Sequence, residues 1–148
     1  MIIWFTGQPG AGKTTLALKF IEEKKRENPD LSVVHIDGDN LRSITQNFDY
    51  SLEGRKKNIE NVHTIARFMD YHEALVVISV VAPLRVMRNA LKETNKMTEV
   101  YVHTTNVRGR EQNFAKNYEP PDNDFIDIDT TNDSVEKSVS KIFKVLEK

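Results

Sequence analysis

The sequence predicts an α/β fold of three layers: a parallel sheet of five strands with helices on both faces. Three observations carry that prediction. Short apolar runs alternate with helical patterns along the chain. The most apolar run, Leu75–Val81, lacks polar alternation, as expected of a parallel strand buried on both faces. The 148 residues, 39% hydrophobic and 29% charged, suffice for one core under a solvated surface, so a single domain over residues 1–148 is expected.

Ile2–Phe5 is the first strand and ends at a glycine-rich loop. From Gly12 to about Asn28 the pattern is helical, with Leu16, Phe20 and Ile21 on one face, and Asn28-Pro29-Asp30 stops it. Val33–Ile36 is a second strand ending at Asp37-Gly38-Asp39. Asn58 to His72 reads as a longer amphipathic helix that aligns Ile59, Val62, Ile65, Ala66 and Met69. Leu75–Val81 is the central strand, and Pro83 opens another helical stretch. Val100–Val102 and Phe125–Ile128 are two further strands, and Val135–Leu146 is a closing helix. Residues 104–124, rich in Asn, Arg and Pro, are expected to form a short lid-like loop. There is no internal repeat and no low-complexity segment.

Composition narrows the function. A net charge of −1 argues against a broad nucleic-acid footprint, which needs a summed positive field. The absence of cysteine excludes a disulfide framework and thiol chemistry. Met1–Phe5 carries no charged leader, and the longest apolar run is too short to cross a bilayer, so a cytoplasmic protein without a membrane partner is expected. His35, His63, His72 and His103 lack metal-ligand spacing and read as structural or surface residues. Trp4, Met69, Met87 and Met97 read as packing, and the charge run Glu22–Arg26 as a solvated helix face.

The chemistry starts at Gly7-Gln8-Pro9-Gly10-Ala11-Gly12-Lys13-Thr14, a Gly-x-x-x-x-Gly-Lys-Thr pattern between a strand and a helix. That context makes it a phosphate-binding loop and the fold a P-loop NTPase fold. Gly10, Ala11 and Gly12 turn successive N–H groups towards phosphate oxygens, assisted by the helix N-terminus. Lys13 reaches the β- and γ-phosphates, Thr14 ligates Mg²⁺ and Thr15 touches an α-phosphate, so ATP and Mg²⁺ are the expected ligands. Asp37-Gly38-Asp39-Asn40-Leu41-Arg42 follows the second strand on the ligand side, since such sheets bind ligands beyond the carboxyl ends of their strands. On residue chemistry alone it is either a solvated turn with a helix cap or an acidic and basic cluster beside a transferable phosphate.

Here the sequence resembles the adenylylsulfate (APS) kinases, and the resemblance spans nearly the whole chain. That family carries a similar phosphate loop, an Asp-Gly-Asp-Asn-x-Arg motif at this distance, and an Arg-x-x-Asn-Ile motif that reads Arg55-Lys56-Lys57-Asn58-Ile59 here. Tyr50 holds the place of an aromatic five residues before that Arg. Ala82-Pro83-Leu84-Arg85 resembles the family's Ser-Pro-x-Arg segment. Glu99-Val100-Tyr101-Val102 before Thr104, and Tyr118-Glu119-Pro120-Pro121 before Ile128-Asp129-Thr130, are similar too.

The resemblance implies transfer of the γ-phosphate of ATP to the 3′-hydroxyl of adenylylsulfate. Lys13, Asp37 and Asp39 would be catalytic, with Asp39 beside the acceptor hydroxyl. Asp37 would join Thr14 in holding Mg²⁺ through a water. Arg108 is placed with the ATP-binding residues. Arg42, Arg55 and Asn58 would grip the acceptor's phosphosulfate, while Tyr50, with Phe114 on the other face, would stack on its base. The partner would be a small nucleotide conjugate, and members are often homodimers. Cytidine diphosphoramidate is an alternative acceptor, and a non-catalytic nucleotide-binding module is the alternative of another class.

Three departures stand out. Ala82 replaces the family's Ser, and Gln8-Pro9 stands where Leu-Ser is favoured. The lid lacks both the Lys-Gly-Leu-Tyr and the Phe-Thr-Gly-Ile-Asp stretches, although Arg108, Arg110 and Lys116 keep positive charge in it. Those charges read equally as an electrostatic element or as a solvated loop.

Overall fold

A computed structural model describes residues 1–148. The elements in chain order are β1 (Ile2–Thr6), α1 (Lys13–Glu27), β2 (Val33–Asp37), α2 (Gly38–Thr45) and α3 (Leu52–Tyr71). They continue with β3 (Leu75–Ser79), α4 (Arg85–Thr94), β4 (Met97–His103), β5 (Phe125–Asp129) and α5 (Val135–Leu146). The five strands form one parallel sheet in the order β2-β3-β1-β4-β5. This is the three-layer fold expected from the alternation of apolar runs and helices.

Alternation along β1 divides the core. Ile3 and Phe5 point to one face, where α1 and α5 bring Leu16, Phe20, Val139 and Ile142. Ile2 and Trp4 point to the other, against Leu41 of α2, Ile59, Val62 and Ala66 of α3, and Leu91 of α4. All five residues of β1 are buried, as are all five of β3 beside it, so the strand carrying the phosphate loop is packed on both faces. No helix is long and apolar enough to cross a membrane.

Several boundaries differ from the sequence expectation. α2 was not expected: its opening Gly-Asp-Asn has poor intrinsic helicity, but Asp37 caps it by accepting from the Asn40 N–H at 3.3 Å. α3 starts at Leu52, six residues before the expected Asn58, because Ser51 caps it through the N–H of Gly54. β3 stops at Ser79 instead of Val81, and β4 begins at Met97 instead of Val100. Beyond Ser79, the Val80 carbonyl accepts from Trp4 Nε1 and the Val81 carbonyl from Thr6 Oγ1, and Ala82 takes a left-handed φ of 43°. Residues 104–124 are irregular apart from a short 3₁₀ turn at Glu111–Asn113.

A buried ionic group braces the far side of the site. The fully buried Arg88 donates from Nε to Glu99 Oε1 at 2.6 Å, and from its terminal nitrogens to the carbonyls of Ala82 and Glu119. Lys92 Nζ donates to Glu99 Oε2 at 3.1 Å. Each of the three guanidinium nitrogens thereby has an acceptor, one of them the Glu99 carboxylate, which is the condition for a buried charge to be tolerated.

Candidate active site

Beyond the carboxyl ends of β1, β2 and β3 lies a cleft of about 810 Å³, roofed by the 104–124 loop. Its floor is the phosphate loop. Gly7 sits at φ 154°, and a Cβ there would meet the Val102 carbonyl oxygen at 2.1 Å, so only glycine fits between loop and β4. Gly12 is the N-cap of α1 at φ 110°, and no side chain caps that helix. The first N–H groups of α1 are therefore left for a ligand, with the helix dipole favouring an anion.

Lys13 is 8% exposed, and its Nζ donates to the Gln8 carbonyl at 2.9 Å. Burial, reinforced by the charge of Arg110 and partly opposed by Asp37 and Asp39, lowers its pKa to about 8. Thr14 Oγ1 donates to Asp37 Oδ1 at 3.0 Å. The same carboxylate oxygen accepts from Ser79 Oγ at 3.1 Å, and Ser79 Oγ lies 2.8 Å from His35 Nε2. One hydroxyl and one carboxylate face each other here, with no grouping of three or more His, Cys, Asp or Glu. That donor set fits Mg²⁺, which keeps most of its water and fills its octahedron with phosphate oxygens.

The opposite wall comes from α2, α3 and the turn between them. Asp39 lies exposed in the first turn of α2 and lines the cleft. Arg42, 7% exposed, donates from Nη1 to the carbonyls of Asn47 and Asp49, both at 3.0 Å, and lies 4.2 Å over the Tyr50 ring. It is no surface charge; it shapes the turn that carries Tyr50. Arg55 Nε donates to the Tyr50 carbonyl at 3.0 Å. Asn58, 4% exposed, lines the cleft with a buried Oδ1 that has no partner. A Cβ on Gly54 would sit 2.1 Å from the Asp49 carbonyl oxygen, so the absence of a side chain lets the Tyr50 turn pack on α3.

The lid closes the third side. Arg108 donates from Nη1 to the carbonyls of Gly10 and Ala11 at 3.1 Å, and from Nη2 to that of Thr130 at 3.0 Å. Arg110 packs on Gly10, and Phe114 faces the cleft. Lys116 is exposed and outside the cleft lining, so the lid's contribution of positive charge falls to Arg108 and Arg110.

The cleft thus brings together Gly10, Gly12, Lys13, Thr14, Thr15, Asp39, Arg42, Tyr50, Arg55, Asn58, Arg108 and Phe114. Asp37 stands behind Thr14, and Ala11 presents its carbonyl to the lid instead of lining the cleft. Sequence reasoning passed over Gln8, Ser79 and the central position of Arg110. Ser79 was hidden in an apolar strand. Arg110 was visible only as one lid charge among three.

Comparison with known proteins agrees with this geometry. Residues 1–128 match the family model described as adenylylsulphate kinase. The adenylyl-sulfate kinase of Staphylococcus epidermidis is 32% identical over 168 residues, covering 98% of this chain and 83% of that protein. The enzyme of the same name from Halothermothrix orenii is 30% identical, covering 98% and 88%. Among solved structures, the APS kinase of Mycobacterium tuberculosis in complex with AMPPNP and APS superposes with a TM-score of 0.82 at 20% identity, covering 99% and 97%. A gluconokinase from Sinorhizobium meliloti shares the fold at a TM-score of 0.67 and 16% identity, covering 98% and 90%.

Proposed function

The chain belongs to the adenylylsulphate kinase family, and from that premise we propose that it transfers the γ-phosphate of ATP to the 3′-hydroxyl of adenylylsulfate, releasing ADP and 3′-phosphoadenylylsulfate. One observation carries the reading: a single cleft is lined both by Lys13 and the phosphate loop and by Asp39, Arg42, Arg55 and Asn58. Kinase names among relatives support the phosphotransfer. The unpartnered Oδ1 of Asn58, in a cleft also lined by Arg42 and Arg55, supports an acceptor that presents both a donor and oxyanions.

Phosphoryl transfer relies on alignment and charge neutralisation more than on covalent chemistry. The N–H groups from Gly10 to Thr14 bind the triphosphate. Lys13 leaves the Gln8 carbonyl for the β- and γ-phosphate oxygens. Asp39 accepts the proton of the acceptor hydroxyl as its oxygen bonds to the γ-phosphorus and the bond from that phosphorus to the bridging oxygen breaks. Arg42 and Arg55 bind the acceptor's oxyanions in the forked manner suited to planar groups. Tyr50 stacks on the base, opposite Phe114. Thr14 and, through a water, Asp37 would hold Mg²⁺, which would supply neutralising charge at the transferred phosphate. A cytoplasmic enzyme with a small-molecule acceptor, forming a homodimer, completes the proposal.

The test is ADP release from ATP·Mg²⁺ with adenylylsulfate, and separately with cytidine diphosphoramidate and other nucleotide conjugates, using Lys13→Ala as control. Turnover with adenylylsulfate supports the proposal. Turnover only with a pyrimidine conjugate moves the acceptor; the methyl of Ala82 and the short lid are the features that favour trying one. ATP binding without turnover on any conjugate would overturn the enzymatic reading in favour of a nucleotide-binding module.

A further inference from the structure

Gln8 bonds in two directions. Its side-chain Nε2 donates to the Ala115 carbonyl at 2.9 Å, and its Oε1 accepts from the Ala115 N–H at 2.9 Å. The carboxamide thus pairs with one lid peptide as a neighbouring strand would. Its own backbone carbonyl accepts from Lys13 Nζ. One residue of the phosphate loop therefore joins the lid to the phosphate-binding lysine.

The lid has little else to hold its middle. Between Thr104 and Pro120, Ala115 is the one buried residue, so apolar burial contributes almost nothing there. Arg108 fastens one side through the carbonyls of Gly10, Ala11 and Thr130. Tyr118 fastens the other through its hydroxyl, 2.8 Å from Thr6 Oγ1. Between those points Arg110, Gln112, Asn113 and Phe114 face the cleft, and the Gln8–Ala115 pair is the tie to the loop beneath them.

We propose that Gln8 is a positioning residue that latches the middle of the lid onto the phosphate loop, so that Arg110 and Phe114 stay over the cleft. A leucine, the residue favoured at this place in related enzymes, fills similar volume but makes neither bond. The latch substitutes pairing for length in a lid that is short. It rests on the kinase reading only in that the cleft it closes is the one assigned to catalysis.

The test is limited trypsin digestion of the full chain, wild type against Gln8→Leu and Gln8→Glu. Cleavage at Arg110 and Lys116 is followed by mass spectrometry, together with the melting midpoint and cleavage at Lys57 on α3. Losing two neutral hydrogen bonds raises the open population of the lid roughly tenfold or more, and cleavage tracks that population when reclosing is fast. Gln8→Leu is therefore expected to be cut about tenfold faster at Arg110 and Lys116, with Lys57 still uncut on that time scale and the melting midpoint lower by only the few degrees that two such bonds are worth. Gln8→Glu keeps an acceptor for the Ala115 N–H but sets a carboxylate against its carbonyl, and is expected to be cut as fast. Unchanged lid cleavage in both variants would overturn the latch, whatever the protein phosphorylates. Cutting at Lys57 on the same time scale as the lid, with a midpoint lowered by more than about 10 °C, would also overturn it, because the whole fold would then be loosened. Faster cutting confined to the lid, in a protein that turns over no conjugate, would leave the latch standing and the kinase reading refuted.

Discussion

Binding of ATP is expected to take up a proton at Lys13, and the pH at which it does so tests the electrostatics of the site. Free Lys13 titrates at about 8 against an ordinary 10.5, mainly through burial and next through Arg110. That drop corresponds to about 3 kcal/mol in favour of the neutral amine. Phosphate oxygens favour the ammonium, so the pKa rises in the complex and the neutral fraction must gain a proton on binding. With a free pKa of about 8, uptake is about 0.1 proton at pH 7, 0.5 at pH 8 and 0.9 at pH 9. Affinity should accordingly fall about tenfold per pH unit above 8. Calorimetry in buffers of different ionisation enthalpy reads the uptake directly, and the pH profile of kcat/KM gives the same pKa for the free protein. Arg110→Ala removes a positive neighbour and should move the bend to higher pH. Uptake that is absent at pH 8, or that persists in Lys13→Met, would refute the reasoning.

Three further outcomes follow from the same geometry. Asp39→Asn should lower turnover by roughly 10²–10⁴ while leaving ATP affinity within a fewfold, as checked by steady-state kinetics and calorimetry. Arg88→Met leaves the 1%-exposed Glu99 with only Lys92 and should destabilise the fold by about 3–5 kcal/mol in urea unfolding; adding Glu99→Leu should recover much of that. Gly54→Ala pushes the Asp49 carbonyl and with it the Tyr50 turn, so KM for the acceptor should rise tenfold or more while KM for ATP stays within twofold. Equal effects on both substrates would place the Tyr50 turn outside the acceptor site.

Lys13 also links site and stability. Between pH 8 and 10.5 the unfolded chain binds more protons at this group than the folded one, so its contribution to stability rises with pH across that window. Below pH 8 the buried ammonium subtracts from stability, as expected where a site is held ready for phosphate.

Much of the fold was legible because its signals are local. The apolar run at Leu75 and the Gly-x-x-x-x-Gly-Lys-Thr loop mark a parallel strand and a strand-to-helix turn without reference to distant residues. What escaped was decided by capping and by tertiary contact. α2 exists because Asp37 caps Gly38-Asp39-Asn40, a sequence that otherwise reads as a turn. The first turn of α3 was masked by Gly54, which looks like a breaker but is required by the close approach of Asp49. Arg88 looks like any helix-surface arginine, and only the meeting of Glu99 with the Ala82 and Glu119 carbonyls makes it interior. The second hydrogen-bonding direction of Gln8 depends on a lid residue 107 positions away, and no local pattern could report it.

The central place of β1 also sets a timetable. Ile2 is paired on one side with Val76 and on the other with Met97, so the strand that ends in the phosphate loop has no neighbour until half of the chain has been synthesised and only one until two thirds has. Until the first partner emerges Ile2–Phe5 is an unpaired apolar strand, and until the second it keeps an open edge, the kind of segment that chaperones bind and that self-associates. Closing such long loops is slow, because their entropy is lost before the pairing returns anything. A nascent chain halted before Met97 should therefore have no nucleotide affinity at all, although every residue of its phosphate loop is already present.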